Sequence, residues 1–163
     1  MIRKSNSNSV PYTPSKILVP IDGSPNAERA LDVGMGLAKT HGAELVILNV
    51  IPTPSVLITT SAFGAPASGL ESYYEQQEST ANHFIDEAMT AAKKHGVSKV
   101  SSQVTRADKS IVEEIIEAAG RSKIDLIVIG TRGSGGFKRL IQGSVSSGVV
   151  THAHCNVFGC KIE

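Results

Sequence analysis

Asp125-Leu126-Ile127-Val128-Ile129-Gly130-Thr131-Arg132-Gly133 decides the fold: one acidic residue, four consecutive apolar residues, then glycine where the run stops. A run that is apolar on both faces must be buried on both. That is the habit of a strand in a parallel sheet covered by helices, not of a strand with one wet face. Nine residues separate Gly133 from Gly143-Ser144-Val145-Ser146, which reads as the opening of a short helix running to His152. Glycines at the carboxyl end of a strand, followed by a helix N-terminus, place bare backbone N–H groups where an anion can be held.

Strand and helix patterns alternate on both sides of this stretch. Ile17-Leu18-Val19-Pro20-Ile21 reads as a first strand, with Pro20 near its carboxyl end because proline cannot donate to a ladder. Ser24 suits an N-cap and Pro25 the first helical position. Ala27, Ala30, Leu31, Gly34, Met35 and Ala38 then recur at helical spacing, and Gly42 closes the helix. Leu45–Ile51 is almost continuously apolar, as a central strand requires. Residues 52–70 are rich in Pro, Gly, Ser, Thr and Ala and read as one long loop.

Ser72 and Glu75 form a capping-box pattern that predicts a second helix starting there, with Ala81, Phe84, Ile85, Ala88 and Ala92 facing inward and Gly96 ending it. Val100–Arg106 carries Ser and Gln and fits an edge strand. Ser110 and Glu113 repeat the capping pattern before Ile115, Ile116 and Ala119. A last strand is expected over Asn156–Ile162, interrupted by Gly159. Gly148, inside the final helix, costs about 1 kcal/mol relative to Ala and marks close packing. The alternation predicts an α/β fold: a single open parallel sheet with helices on both faces. Residues 15–163 form one domain, and residues 1–14, rich in Ser, Asn and Pro, read as a disordered N-terminal arm.

Composition narrows the function. The net charge of +1 lacks the basic excess of many nucleic-acid binders, and with aromatics at 4% and no Trp a base-stacking platform is absent, so no nucleic-acid partner is expected. No apolar run has transmembrane length and the first residues carry no apolar signal core, which predicts no membrane association and a cytoplasmic location. Cys155 and Cys160 are separated by an odd number of positions, which puts them on opposite faces of a shared strand as reduced thiols. His152, His154 and Cys155 lack a second ligand pair, so no metal site is expected there.

The glycine segment carries the chemistry. Gly133, Gly135 and Gly136 allow close backbone approach, Gly143 opens a helix whose dipole favours an anion, and Ser144 and Ser146 bring hydroxyls. Arg132, Lys138 and Arg139 add positive charge. No Gly-Lys-Ser/Thr triplet of a Walker loop occurs, and Asp22-Gly23-Ser24-Pro25 after the first strand is not the dinucleotide Gly-x-Gly-x-x-Gly, which disfavours a conventional NTPase and a nicotinamide dehydrogenase.

Gly130-x-x-Gly133, nine residues and then Gly143-Ser144 resembles the nucleotide-binding motif of the ATP-binding universal stress proteins. Ile17 to Ser24, Asp125 to Gly130 and Gly133 to Leu140 are similar to that family too, so the resemblance spans residues 15–158 and is weakest in the middle loop. It implies a Rossmann-like sheet of five parallel strands in the order 3-2-1-4-5 and a homodimer paired through the last strands. It also implies ATP or a related adenine nucleotide, with Mg2+ accompanying it.

The implied site comprises Pro20, Asp22, Leu45, Gly130, Arg132, Gly133, Gly143, Ser144, Val145 and Ser146. In that pattern Asp22 lies near the ribose and adenine and the Leu45 backbone meets the adenine edge. Gly130 and Gly133 line ribose and phosphates, and Gly143 to Ser146 hold the phosphate chain. The family's last strand commonly runs Cys-Pro and then apolar; here it is Cys155-Asn156-Val157-Phe158-Gly159-Cys160.

The expected function is therefore an adenine-nucleotide-binding, stress-linked regulatory protein with an unidentified protein partner and no catalytic residue assigned. Two alternatives stand beside it. One is a slow ATPase or autophosphorylating enzyme using Asp22 with Ser144 or Ser146; the other is a dimeric interaction module without ligand.

Overall fold

The computed structural model describes residues 11–54, 68–131 and 143–162. Five strands, β1 (Lys16–Pro20), β2 (Glu44–Ile51), β3 (Val100–Arg106), β4 (Leu126–Gly130) and β5 (Asn156–Cys160), alternate with four helices, α1 (Pro25–His41), α2 (Ser68–His95), α3 (Ile111–Arg121) and α4 (Ser144–His152). The sheet is parallel throughout, in the order β3-β2-β1-β4-β5.

Period-two alternation along the strands builds two cores. Ile17, Val19, Leu45, Ile47, Leu126 and Val128 point to the face covered by α1 and α2. Leu18, Val46, Leu48, Ile127 and Ile129 point to the other face, where Ile115, Ala118, Ala119 and Val149 of α3 and α4 meet them.

Local signals explain the helix boundaries. Ser24 Oγ accepts the Ala27 N–H at 3.2 Å, Pro25 occupies the first turn, and Gly42 ends α1 at φ 66°. The six expected core residues of α1 are buried. A Cβ on Gly34 would lie 2.5 Å from Val19 Cγ2, so this glycine lets α1 sit close on β1. Ser110 Oγ likewise accepts the Glu113 N–H at 3.1 Å to start α3. Gly148 has the reason its sequence position suggests: a Cβ there would be 2.9 Å from Val112 Cγ2.

Two boundaries differ from expectation. The second helix begins at Ser68, which places Ser72 and Glu75 inside it and not at a cap. Tertiary packing accounts for the extra turn: Tyr74, with Leu70 and Tyr73, packs on Ile51 and Val104, the Tyr73 hydroxyl donates to the Pro52 carbonyl at 3.1 Å, and the Arg106 guanidinium lies 4.3 Å over the Tyr74 ring. Secondly, Gly159 does not interrupt β5. The ladder with β4 continues through Ile129↔Gly159 and Gly130↔Cys160. The strand ends at Cys160, short of Ile162.

The two cysteines are free and join opposite cores, Cys160 the α1 side and Cys155 the α3 side. Burial pushes both thiols up from their ordinary range, and the Asp125 carboxylate pushes Cys155 further. Asp125 itself accepts the Ser15 and Lys16 N–H groups at 2.9 and 3.2 Å, which fastens the entry to β1 onto β4. No described helix is long and apolar enough to cross a membrane.

Candidate functional site

In this strand order the chain moves from β1 to β2 on one side and reaches β4 on the other, so the crevice at the carboxyl ends of β1 and β4 is the place where a ligand fits an open parallel sheet. A cavity of about 410 Å3 opens there, within the range of small-molecule sites. Pro20, Ile21 and Asp22 line it from the turn after β1, and Ser24, Asn26 and Ala27 from the start of α1. Val50 lines it from β2, Ile111 and Ile115 from α3, Ile129 and Gly130 from β4, and Gly143 to Ser146 from the start of α4.

The floor is held in place by one main-chain bond and one side-chain bond. Ile21 N–H donates to the Leu48 carbonyl at 2.8 Å, and the Asn49 side-chain amide donates to the Ile21 carbonyl at 2.9 Å. Asn49 is buried, so this bond is sheltered from water and fixes the chain just before Asp22. Asp22 Oδ1 accepts the Ser24 N–H at 3.0 Å, an Asx turn that carries the chain into α1. Gly23 completes the turn at φ +75°, where a Cβ would be strained and would also meet Phe84 Cζ at 2.4 Å. Gly130 is a contact point of another kind: a Cβ there would lie 2.4 Å from the Asn26 carbonyl oxygen, so its absence lets α1 close against β4.

The opposite wall is the start of α4. The first backbone bond of this helix runs from Ser147 N–H to the Gly143 carbonyl at 2.9 Å, and among the described residues no side chain caps the turn. The N–H groups of Ser144, Val145 and Ser146 therefore precede the hydrogen-bonded ladder, at the positive end of the helix dipole. Ser146 is buried and its hydroxyl donates to the Gly143 carbonyl at 2.9 Å. Its proton is thereby committed, and what Ser146 offers a ligand is its backbone N–H. Ser144 is exposed and also lines the cavity.

Of the expected site residues, Pro20, Asp22, Gly130, Gly143, Ser144, Val145 and Ser146 share this cavity. Leu45 does not. It stands at the start of β2, wholly buried, with its N–H donated to the Lys99 carbonyl at 2.9 Å. It lies about 16 Å along the strand from Val50, which does line the cavity. Arg132 and Gly133 fall outside the described residues, as do Lys138 and Arg139.

Sequence reading also passed over Val50, Ile111, Ile115 and Ile129, because an apolar residue on a strand or helix looks like core, and Asn26, which carries no motif of its own. Asn49 did carry a signal: it is one amide inside an otherwise apolar central strand.

The chemistry on offer is an apolar wall beside a row of N–H donors, with Asp22 the one carboxylate among the described lining residues. The described lining residues include no His, Lys, Arg, Cys or Tyr; their hydroxyls are Ser24, Ser144 and Ser146, and the Ser146 proton is already donated to the Gly143 carbonyl. No group of three metal-ligating side chains occurs among the described residues.

The family model described as the universal stress protein family matches residues 14–161. A Staphylococcus aureus relative named as a putative universal stress protein is 33% identical over 156 residues, covering 93% of this chain and 86% of its own. Among solved structures, the universal stress protein UspA of Lactobacillus plantarum matches at TM-score 0.71 and 25% identity, over 89% of this chain and 96% of that one. The universal stress protein of Archaeoglobus fulgidus in complex with dAMP matches at TM-score 0.65 and 19% identity, over 91% of this chain and 98% of that one. An Arabidopsis thaliana family member with AMP bound matches at TM-score 0.65 and 18% identity, over 92% and 93%.

Proposed function

The chain belongs to the universal stress protein family, and from that premise we propose that the rim cavity is a receptor for an adenine nucleotide, ATP among them, and serves regulation more than turnover. The observation that carries this reading is the uncapped start of α4, with three N–H groups ahead of its first internal bond, facing an apolar slot. Phosphate belongs at such a helix end, and a flat base belongs against Val50, Ile111 and Ile129. Relatives solved with AMP and dAMP support the adenine assignment. In this reading Asp22, which lines the cavity, accepts from ribose hydroxyls and is the residue that would reach a Mg2+ carried in with the phosphates. Arg132 and Gly133 complete the phosphate contacts in this reading.

A homodimer through β5 belongs to the same proposal. This strand is an edge of the sheet, and Phe158 on it is 50% exposed. In the regulatory reading, nucleotide occupancy is the signal that a protein partner reads.

The test is thermal unfolding with ATP–Mg2+, AMP and GTP. A ligand at about a hundred times its Kd adds about 2.7 kcal/mol, which for a chain of this size raises the Tm by about 5–11 °C. Adenine nucleotides should do this and GTP should not, and Gly143→Leu should remove the effect while the circular dichroism spectrum is kept. Equal Tm values with and without millimolar adenine nucleotide would refute the proposal.

A further inference from the structure

We propose that Thr131 is a positioning residue for the nucleotide site, acting through the last strand, and that Gly159 exists to let it do so. This rests on the adenine-nucleotide reading above and adds a residue pair to it. Thr131 follows Gly130, the last cavity-lining residue of β4, and is only 4% exposed. Its N–H donates to the Cys160 carbonyl at 2.7 Å and its hydroxyl donates to the same oxygen at 2.8 Å. Both lone pairs of one carbonyl at the end of β5 are thus taken by the residue that carries the chain out of Gly130.

The absence of a Cβ on Gly159 leaves room for this side chain. A Cβ there would lie 3.1 Å from Thr131 Cγ2, inside the roughly 3.5–4.0 Å of ordinary carbon contact. The glycine that breaks the apolar run of the last strand therefore has a steric partner across the β4–β5 ladder. Gly130 is itself pressed against Asn26 of α1, so a displaced Thr131 passes its shift to residues that line the cavity. The clamp makes the direction of the chain at Gly130 depend on the placement of β5.

Four variants test the clamp by nucleotide affinity, measured with AMP by calorimetry well below the Tm. Gly159→Ala should weaken AMP binding about three- to tenfold, although Ala is the better strand residue and strand stability alone would not suffer. Thr131→Val keeps the methyl and loses the hydroxyl donor, and should weaken binding by a similar factor. Thr131→Ser keeps the donor and should bind within about twofold of wild type. The double variant T131S/G159A removes the methyl that the new Cβ meets, and should recover most of the affinity that G159A loses. Wild-type affinity in both G159A and T131V, or a G159A loss that T131S leaves unrepaired, overturns the clamp. Failure of the wild-type protein to bind any adenine nucleotide overturns instead the reading on which it rests.

Discussion

Replacing Gly130 with Ala probes the packing that shapes the cavity. The new methyl would sit 2.4 Å from the Asn26 carbonyl oxygen, 2.6 Å from its carbonyl carbon and 3.0 Å from its Cβ. Two of these three atoms are main chain, so no rotamer change relieves the overlap. To restore ordinary contact the start of α1 must move by about 1 Å from β4, against helix packing fixed by Gly34 on Val19. Overpacking of this kind costs about 1–3 kcal/mol. At about 2–4 °C per kcal/mol for a chain of this size, the Tm should fall by about 2–12 °C.

Asn26 and Ala27 line the cavity, so adenine-nucleotide affinity should fall in the same variant. Gly36 supplies the matched control. It lies in α1 too, but a Cβ there would meet nothing within 4 Å, so Gly36→Ala should stabilise by about 0.5–1 kcal/mol through helix propensity. Paired melting curves of the two variants decide the matter. A G130A protein that melts with wild type and keeps its affinity would refute the close-approach reasoning.

Asn49→Ala leaves the Ile21 carbonyl without its donor in a buried setting, so stability should fall by about 1–3 kcal/mol in urea titrations, with weaker nucleotide binding because the turn at Asp22 loses its anchor. Ser24→Ala removes the acceptor for the Ala27 N–H and should cost about 1 kcal/mol, read from the same denaturation midpoint. Burial holds the Cys155 and Cys160 thiols protonated beyond their ordinary value of 9.0. Iodoacetamide should therefore label the native protein slowly at a pH of about 8, by intact-mass measurement, and far faster after denaturation. The folded state keeps these protons longer than the unfolded chain does, so their contribution to stability is complete below the ordinary thiol value and declines as pH rises through the folded values.

The architecture was legible because the run Leu126–Ile129 and the run Leu45–Ile51 are apolar on both faces, and a parallel sheet alone buries such strands twice. Caps at Ser24, Gly42 and Ser110 are local chemistry, which a sequence states directly. The start of α2 was not legible: Leu70, in the turn ahead of Ser72, joins the cluster that Tyr73 and Tyr74 form with Ile51 and Val104, residues distant in the chain. Gly159 was misread for a similar cause, since its partner Thr131 lies across a ladder and not beside it in sequence. At the site, glycines and serines marked the segment at the start of α4 that lines the cavity, whereas Val50, Ile111 and Ile129 looked like core until the fold set them around it. Leu45 shows the converse, because position within a strand decides which end of the sheet a residue reaches.

The uncapped N–H groups at the start of α4 are the centre of the proposed function, and amide NMR observes them directly. Titrating AMP into 15N-labelled protein should move the Ser144, Val145 and Ser146 resonances strongly, and adenosine, which lacks the phosphate, should leave them nearly in place. Equal shifts with adenosine and AMP, or unmoved resonances at saturating AMP, would contradict phosphate binding at this helix end.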